Sequence, residues 1–147
     1  MKVVIQRCKC GSCTVDDKIV SKIDKGLVVL AGFNVNDTIN DINYIVKKLV
    51  NLRIFDDENG VMNKSVIGVN GEILSISQFT LQAITKDGNR PSYVNAMKGE
   101  DAIKLYEIFN SKLNENVKTY PGVFGADMLI KIDNDGPITI VIDSQNK

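Results

Sequence analysis

Apolar residues along the chain change their spacing several times, and each change marks an element. Lys2 to Arg7 is rich in β-branched residues and predicts a first strand, followed by Ile19 to Ile23 and Gly26 to Phe33 with turn residues between them. Leu27 to Ala31 is continuously apolar, as in a strand covered on both faces. Thr38 followed by Asp41 matches a capping box, and Ile39, Ile42, Ile45, Val46, Leu49 and Leu52 then share one helical stripe. This predicts a helix over Thr38 to Leu52. Asp56 to Gly60 is a turn by composition. Glu72 to Leu81 reads as a strand, because Ile, Leu and Phe recur there among small polar residues. A loop, Gln82 to Tyr93, leads to a second helix, whose face is Ala102, Leu105, Tyr106, Phe109 and Leu113 and whose first turn carries Glu100 and Asp101. Met128 to Ile132 and Ile138 to Ile142 are strand-like and flank Asp133-Asn134-Asp135-Gly136-Pro137, a run dense in turn formers. The order predicts an α+β fold with two helices and a mainly antiparallel sheet.

No repeat, low-complexity tract or linker breaks the pattern, so residues 1–147 are read as a single domain. That length suffices to bury about two thirds of the surface of the unfolded chain. Lysine plus arginine number 18 and aspartate plus glutamate 18, so attraction for a polyanion must come from a local patch. The N-terminal apolar run is too short for a signal peptide, and nothing approaches the roughly 20 apolar residues of a membrane span. A cytoplasmic protein with no membrane association is expected.

Histidine is absent, which excludes Ser-His and Cys-His triads and histidine-ligated zinc. The three cysteines, Cys8, Cys10 and Cys13, fit a reducing compartment. A soft tetrahedral site needs four ligands, so they read better as small buried hydrophobes than as metal ligands, and no metal or cofactor is expected.

Two segments are more specific than scaffold requires. Ser77-Gln78-Phe79-Thr80-Leu81 ends a strand, and Asn134-Asp135-Gly136-Pro137-Ile138-Thr139 lies near the C-terminus. On periodicity alone Phe79 could be core and Thr80 an ordinary β-former, while Asp135-Gly136 could be the type I′ turn of a plain hairpin. Arg90, grouped with Lys86, Lys98 and Tyr93, suits either a solvated loop or phosphate contact.

Together the two segments resemble the D-aminoacyl-tRNA deacylase family, whose signature is an SQFTL segment and a Gly-Pro motif with a cis peptide bond. Gln6-Arg7, Arg53-Ile54-Phe55, Met62-Asn63, Arg90-Pro91-Ser92 and Gly122-Val123-Phe124-Gly125-Ala126-Asp127-Met128 fit in register, so the likeness spans almost the whole chain. The chain departs from the family pattern at Cys8, Gly11 and Cys13, where Val, Ala and Val are more usual.

The resemblance implies a homodimer of β-barrel-like subunits, with the active site at the subunit interface. The Gly-Pro loop of one copy would enter the pocket around SQFTL of the other. Catalytic roles would fall to Ser77, Gln78, Phe79 and Thr80, and substrate binding to Gly136, Pro137, Phe124, Met128, Arg7 and Arg90. The expected reaction is hydrolysis of the ester of D-aminoacyl-tRNA, with glycyl-tRNA also accepted and L-amino acids rejected by the Gly-cisPro motif. Thr80 has no evident base beside it in the sequence, so backbone N–H groups near Phe79 and Thr80 and the tRNA's own 2′-OH are favoured over a threonine nucleophile. Three rivals follow: an editing deacylase for mischarged L-amino acids, a non-catalytic tRNA-binding module, and a structural dimerisation domain.

Overall fold

The computed structural model describes residues 1–86 and 88–146. In chain order it contains β1 (Lys2–Val15), β2 (Lys18–Ile23), β3 (Gly26–Gly32), α1 (Ile39–Asn51), β4 (Phe55–Asp56), β5 (Met62–Lys64), β6 (Glu72–Ser77), a 3₁₀ turn (Phe79–Gln82), α2 (Gly99–Asn114), β7 (Thr119–Pro121) and β8 (Leu129–Asp143). Both helices begin as their sequences dictate. Thr38 caps α1: its Oγ1 accepts from Asn40 N (3.3 Å), while the Asp41 carboxylate accepts from Thr38 N (2.9 Å). Glu100 and Asp101 occupy the first turn of α2, where the helix dipole favours negative charge.

The main sheet runs β2-β1-β3-β6-β7, and β8 also pairs with β1. Around β1 every pairing is antiparallel. β3–β6 and β6–β7 are parallel, because α1 and α2 lie in the crossovers between those strands. The expected α+β fold with two helices and a mainly antiparallel, barrel-like sheet is therefore observed, with a parallel arm added. Ser21 Oγ donates to Pro121 O, which joins β2 to β7 and nearly closes the barrel.

The strands are covered on both faces. On one side Val3, Ile5, Leu27, Val29, Ala31 and Ile73 pack against Ile42, Ile45 and Leu49 of α1 and Tyr106, Phe109 and Leu113 of α2. On the other, Cys8, Cys13, Ile23, Val28, Leu74 and Ile76 form a second cluster, flanked by Met128, Ile130 and Ile132. A buried Leu or Ile contributes about 1.5–3 kcal/mol, so these two clusters dominate stability. Cys8 and Cys13 are the small hydrophobes expected, and burial pushes the Cys8 thiol up to about 11. Cys10 is not one of them: it is half-buried and its Sγ donates to Asp133 Oδ2 (3.2 Å), because a register shift in β1 breaks the alternation that buries its neighbours.

Four expectations from the pattern need correction. β1 extends to Val15, since its second half pairs with both β2 and β8. β7 was not anticipated; it is short and contains Pro121, and β6 recruits it by pairing. The strand from Glu72 stops at Ser77 instead of Leu81. Finally, Met128 to Ile142 is no hairpin: β8 is continuous, and Asp135 to Ile138 form a bulge between the pairs Cys8↔Asn134 and Gln6↔Thr139. Asn134 holds that bulge, donating through Nδ2 to Arg7 O (2.9 Å) and Ile138 O (3.0 Å).

Candidate active site

β6 leaves the sheet at Gln78. Its N–H donates to Ala31 O (2.7 Å), yet its carbonyl lies so close to Gly32 that a Cβ there would sit 2.6 Å away. Glycine at 32 thus lets the chain turn at this point. The following 3₁₀ turn is fastened from behind by Gln82, whose Nε2 donates to Gly32 O (2.9 Å) and whose Oε1 accepts from Asn34 Nδ2 (3.3 Å). Phe79 therefore projects outward, 56 % exposed, instead of entering the core. Gln78 Nε2 donates to Thr80 Oγ1 at 2.5 Å. Among the described residues no carboxylate or amine bonds that hydroxyl, so none of them is placed to activate it.

The loop Gly122 to Met128 forms the facing wall. Gly122 N donates to Ser75 O (2.8 Å), and a Cβ at Gly122 would meet Met128 Sδ at 2.7 Å and Ile76 Cδ1 at 2.9 Å, so a larger residue would have to displace the ends of these two side chains. The Phe124 ring packs on Tyr106 with centroids 5.7 Å apart, and Tyr106 Oη donates to Ser75 O (2.7 Å). Burial holds the Tyr106 phenol above its ordinary range, so it stays a donor. Gly125 takes φ +78°, and Ala126 N closes a turn on Val123 O (3.2 Å).

Between these walls lies a cavity of about 620 Å³, which Ser77, Gln78 and Phe79 line from one side and Phe124 to Met128 from the other. Its lining is largely apolar with a few polar groups, the usual constitution of a small-molecule site. Asp127, which the sequence reading did not single out, lines it too; its position within the Gly122 to Met128 segment was the available signal.

The remaining candidates sit elsewhere. Gly136, at φ +118°, and Pro137 are exposed on the β8 bulge, and the peptide bond joining them is cis. Arg7 is buried beneath them. Its NH1 donates to Ile54 O (2.8 Å), its Nε reaches Asp135 O (3.3 Å) and pairs with the Asp135 carboxylate (3.1 Å), and Asp56 lies 3.5 Å away. The guanidinium is thus engaged in anchoring the bulge. Arg90 is exposed in the segment after the 3₁₀ turn, where Tyr93 meets Phe79 edge-on with centroids 5.1 Å apart. Neither Arg7, Arg90, Thr80, Gly136 nor Pro137 lines the cavity of this single chain.

A nearly closed mixed barrel with two helices on one face, and a cleft beside a strand-to-3₁₀ turn, form the architecture that this chain shares with a family of small deacylases. The family model described as D-Tyr-tRNA(Tyr) deacylase matches residues 4–143. Relatives named D-aminoacyl-tRNA deacylase are 56 % identical in Flavobacterium psychrophilum and 51 % identical in Clostridium novyi, each match covering 100 % of this chain and 99 % of the relative. A solved structure described as c-Myc DNA unwinding element binding protein superposes with a TM-score of 0.93 at 40 % identity, covering 97 % of this chain and 98 % of that one. Another, described as a probable eukaryotic D-amino acid tRNA deacylase, gives a TM-score of 0.82 at 18 % identity, covering 96 % of this chain and 97 % of that one, and shares the fold. The chain belongs to the D-Tyr-tRNA(Tyr) deacylase family, and the deacylase class expected from the sequence stands.

Proposed function

We propose that this protein hydrolyses the ester of D-aminoacyl-tRNA in the cytoplasm, removing D-amino acids and glycine while sparing L-aminoacyl-tRNA. The observation that carries the reading is the cleft, whose walls are the Ser77-Gln78-Phe79 and Phe124 to Met128 segments. Its volume suits a terminal nucleoside with a small ester, within the usual range for small-molecule sites. Among the described residues no helix is long and apolar enough to cross a membrane, which is compatible with this site of action.

Ester hydrolysis is intrinsically easy, so positioning and oxyanion stabilisation can supply most of the acceleration. The first residues of a 3₁₀ turn have N–H groups with no acceptor inside the turn. At Phe79 and Thr80 such groups would hold the ester carbonyl, while the tRNA's 2′-OH helps to activate water. Thr80, bonded to Gln78 and without a base among the described residues, positions the turn and does not attack.

Two copies would share each site. Gly136 and Pro137 are exposed on a bulge anchored from the inside, and among the described residues β8 pairs with β1 alone, leaving its other edge unpaired, with Leu129 and Val141 of the strand exposed. Entering the partner's cleft, the Gly136-Pro137 backbone would leave room for the hydrogen of a D-configured Cα and strike an L side chain, giving specificity by exclusion. Glycine has no side chain to exclude. The deciding experiment compares release of amino acid from D-Tyr-tRNA, L-Tyr-tRNA and Gly-tRNA. Rapid hydrolysis of the first and third with the second spared is expected; no turnover of D-Tyr-tRNA above the uncatalysed rate would overturn the assignment.

A further inference from the structure

Asp127 is the one ionisable side chain among the described residues that line the cleft. None of the ion pairs among the described residues involves it. Its side chain is exposed, on a backbone that is held in place. The loop that carries it is tied down at Gly122 through Ser75, at Phe124 through Tyr106, and at Met128 through the packing against Gly122. A carboxylate on a tethered loop thus borders a space otherwise lined by apolar groups and neutral polar ones.

A negative charge is out of place in a cleft that receives the end of a polyanion, because every phosphate nearby repels it. The cost is offset only where the ligand brings a cation. On the reading proposed above, the substrate carries one cation independent of its side chain, the α-ammonium of the ester-linked amino acid, since an α-amino group is protonated below about pH 8. We infer that Asp127 reads this ammonium: its carboxylate accepts a charge-assisted hydrogen bond from the nitrogen and makes the enzyme selective for a free α-amino group over an N-acylated one. The other two N–H bonds of the ammonium remain for carbonyl oxygens of the 136–137 segment. An amide nitrogen has lost both the charge and the spare donors, so N-blocked esters, peptidyl-tRNA among them, bind without this contact and leave Asp127 unpaired. The same residue that draws a mischarged amino acid in would thereby turn growing chains away.

Stable amide analogues test the inference without turnover. 3′-Deoxy-3′-(D-tyrosylamino)adenosine and its Nα-acetyl derivative are titrated calorimetrically into the full-length wild type, Asp127→Asn and Asp127→Glu. The wild type should prefer the free amine by about tenfold. Asp127→Asn should bring that preference within about twofold by weakening the amine alone, and Asp127→Glu should restore part of it. The kcat/KM values for D-Tyr-tRNA and N-acetyl-D-Tyr-tRNA should move in the same ratio. Equal weakening of both ligands in Asp127→Asn, or an unchanged preference, overturns the inference. A wild type that binds the analogues with the stated preference yet releases no amino acid leaves the charge reading intact and sinks the deacylase reading, whereas binding neither analogue sinks both.

Discussion

The cleft and the β8 bulge are supported in opposite ways. The cleft is closed by its own chain, with glycine contacts at Gly32 and Gly122 on two sides and Gln82 bracing the turn from behind. The bulge is anchored from the inside, by Arg7 and Asn134, and turns Gly136 and Pro137 to solvent. A cleft braced by its own chain keeps its shape before any partner segment enters it. A region that is held stiffly on its inner side and bare on its outer side is preorganised for docking, because little ordering entropy remains to be lost on contact.

If the two regions meet between copies, the largest effect comes from blocking the bulge. A side chain at Gly136 faces a φ of +118° and would place its Cβ 2.8 Å from Ile138 Cγ1. Gly136→Val should lower kcat/KM on D-Tyr-tRNA by about a hundredfold or more. Refolding it together with a chain whose cleft is filled by Ala126→Trp should return about a quarter of wild-type sites, since half of the pairs are mixed and each mixed pair has one sound site. Failure of the mixture to recover, with both variants folded, would mean that each site uses a single chain.

Arg7→Ala tests the anchor. It removes charged hydrogen bonds from a buried position and should cost about 2–3 kcal/mol in urea unfolding, with activity lost in parallel. Stability unchanged to within about 0.5 kcal/mol would show that the bulge holds itself. Thr80→Ala sharpens the other side of the comparison, because a cleft that works through backbone groups should lose no more than about tenfold in kcat. A loss beyond about a thousandfold in a folded variant would make Thr80 the nucleophile after all. The smallest effect is electrostatic. tRNA binding should have a shallow salt dependence for a chain of zero net charge, and Arg90→Ala should reduce the log–log slope by about one unit if it meets a phosphate. An unchanged slope returns Arg90 to the solvent.

Local signals were readable where one residue's chemistry decides the outcome. The Thr38-Asp41 box and the apolar stripe behind it define α1 without help from the rest of the molecule. The continuous run in β3 correctly announced burial on both faces. Features set by distant neighbours were not readable. Asp-Asn-Asp-Gly-Pro has every mark of a turn, but pairing with β1 on both sides carries the strand through it, and the Asn134 side chain bridges the gap. Phe79 looks like a strand residue, yet Gly32, far off in sequence, and the Gln82 side chain that reaches back to it turn the chain out of the sheet before it. For the candidate site the motif residues could be chosen from the sequence, while their division into a cleft set and a bulge set required three dimensions. Asp127 went unnoticed because a lone carboxylate in a loop has no signature until the cavity around it is known.

The pairing of β1 with β8 also bears on how the protein is made. Lys2 pairs with Asp143 and Thr14 with Leu129, so the two strands emerge from the ribosome roughly 10 s apart at the usual speed of synthesis. Throughout that interval one long edge of the earliest strand has no native partner, and its row of backbone donors and acceptors is open to any extended segment nearby. The finished barrel conceals a seam that is sewn last, and the newborn chain is most vulnerable to strand exchange and aggregation in the seconds before it closes.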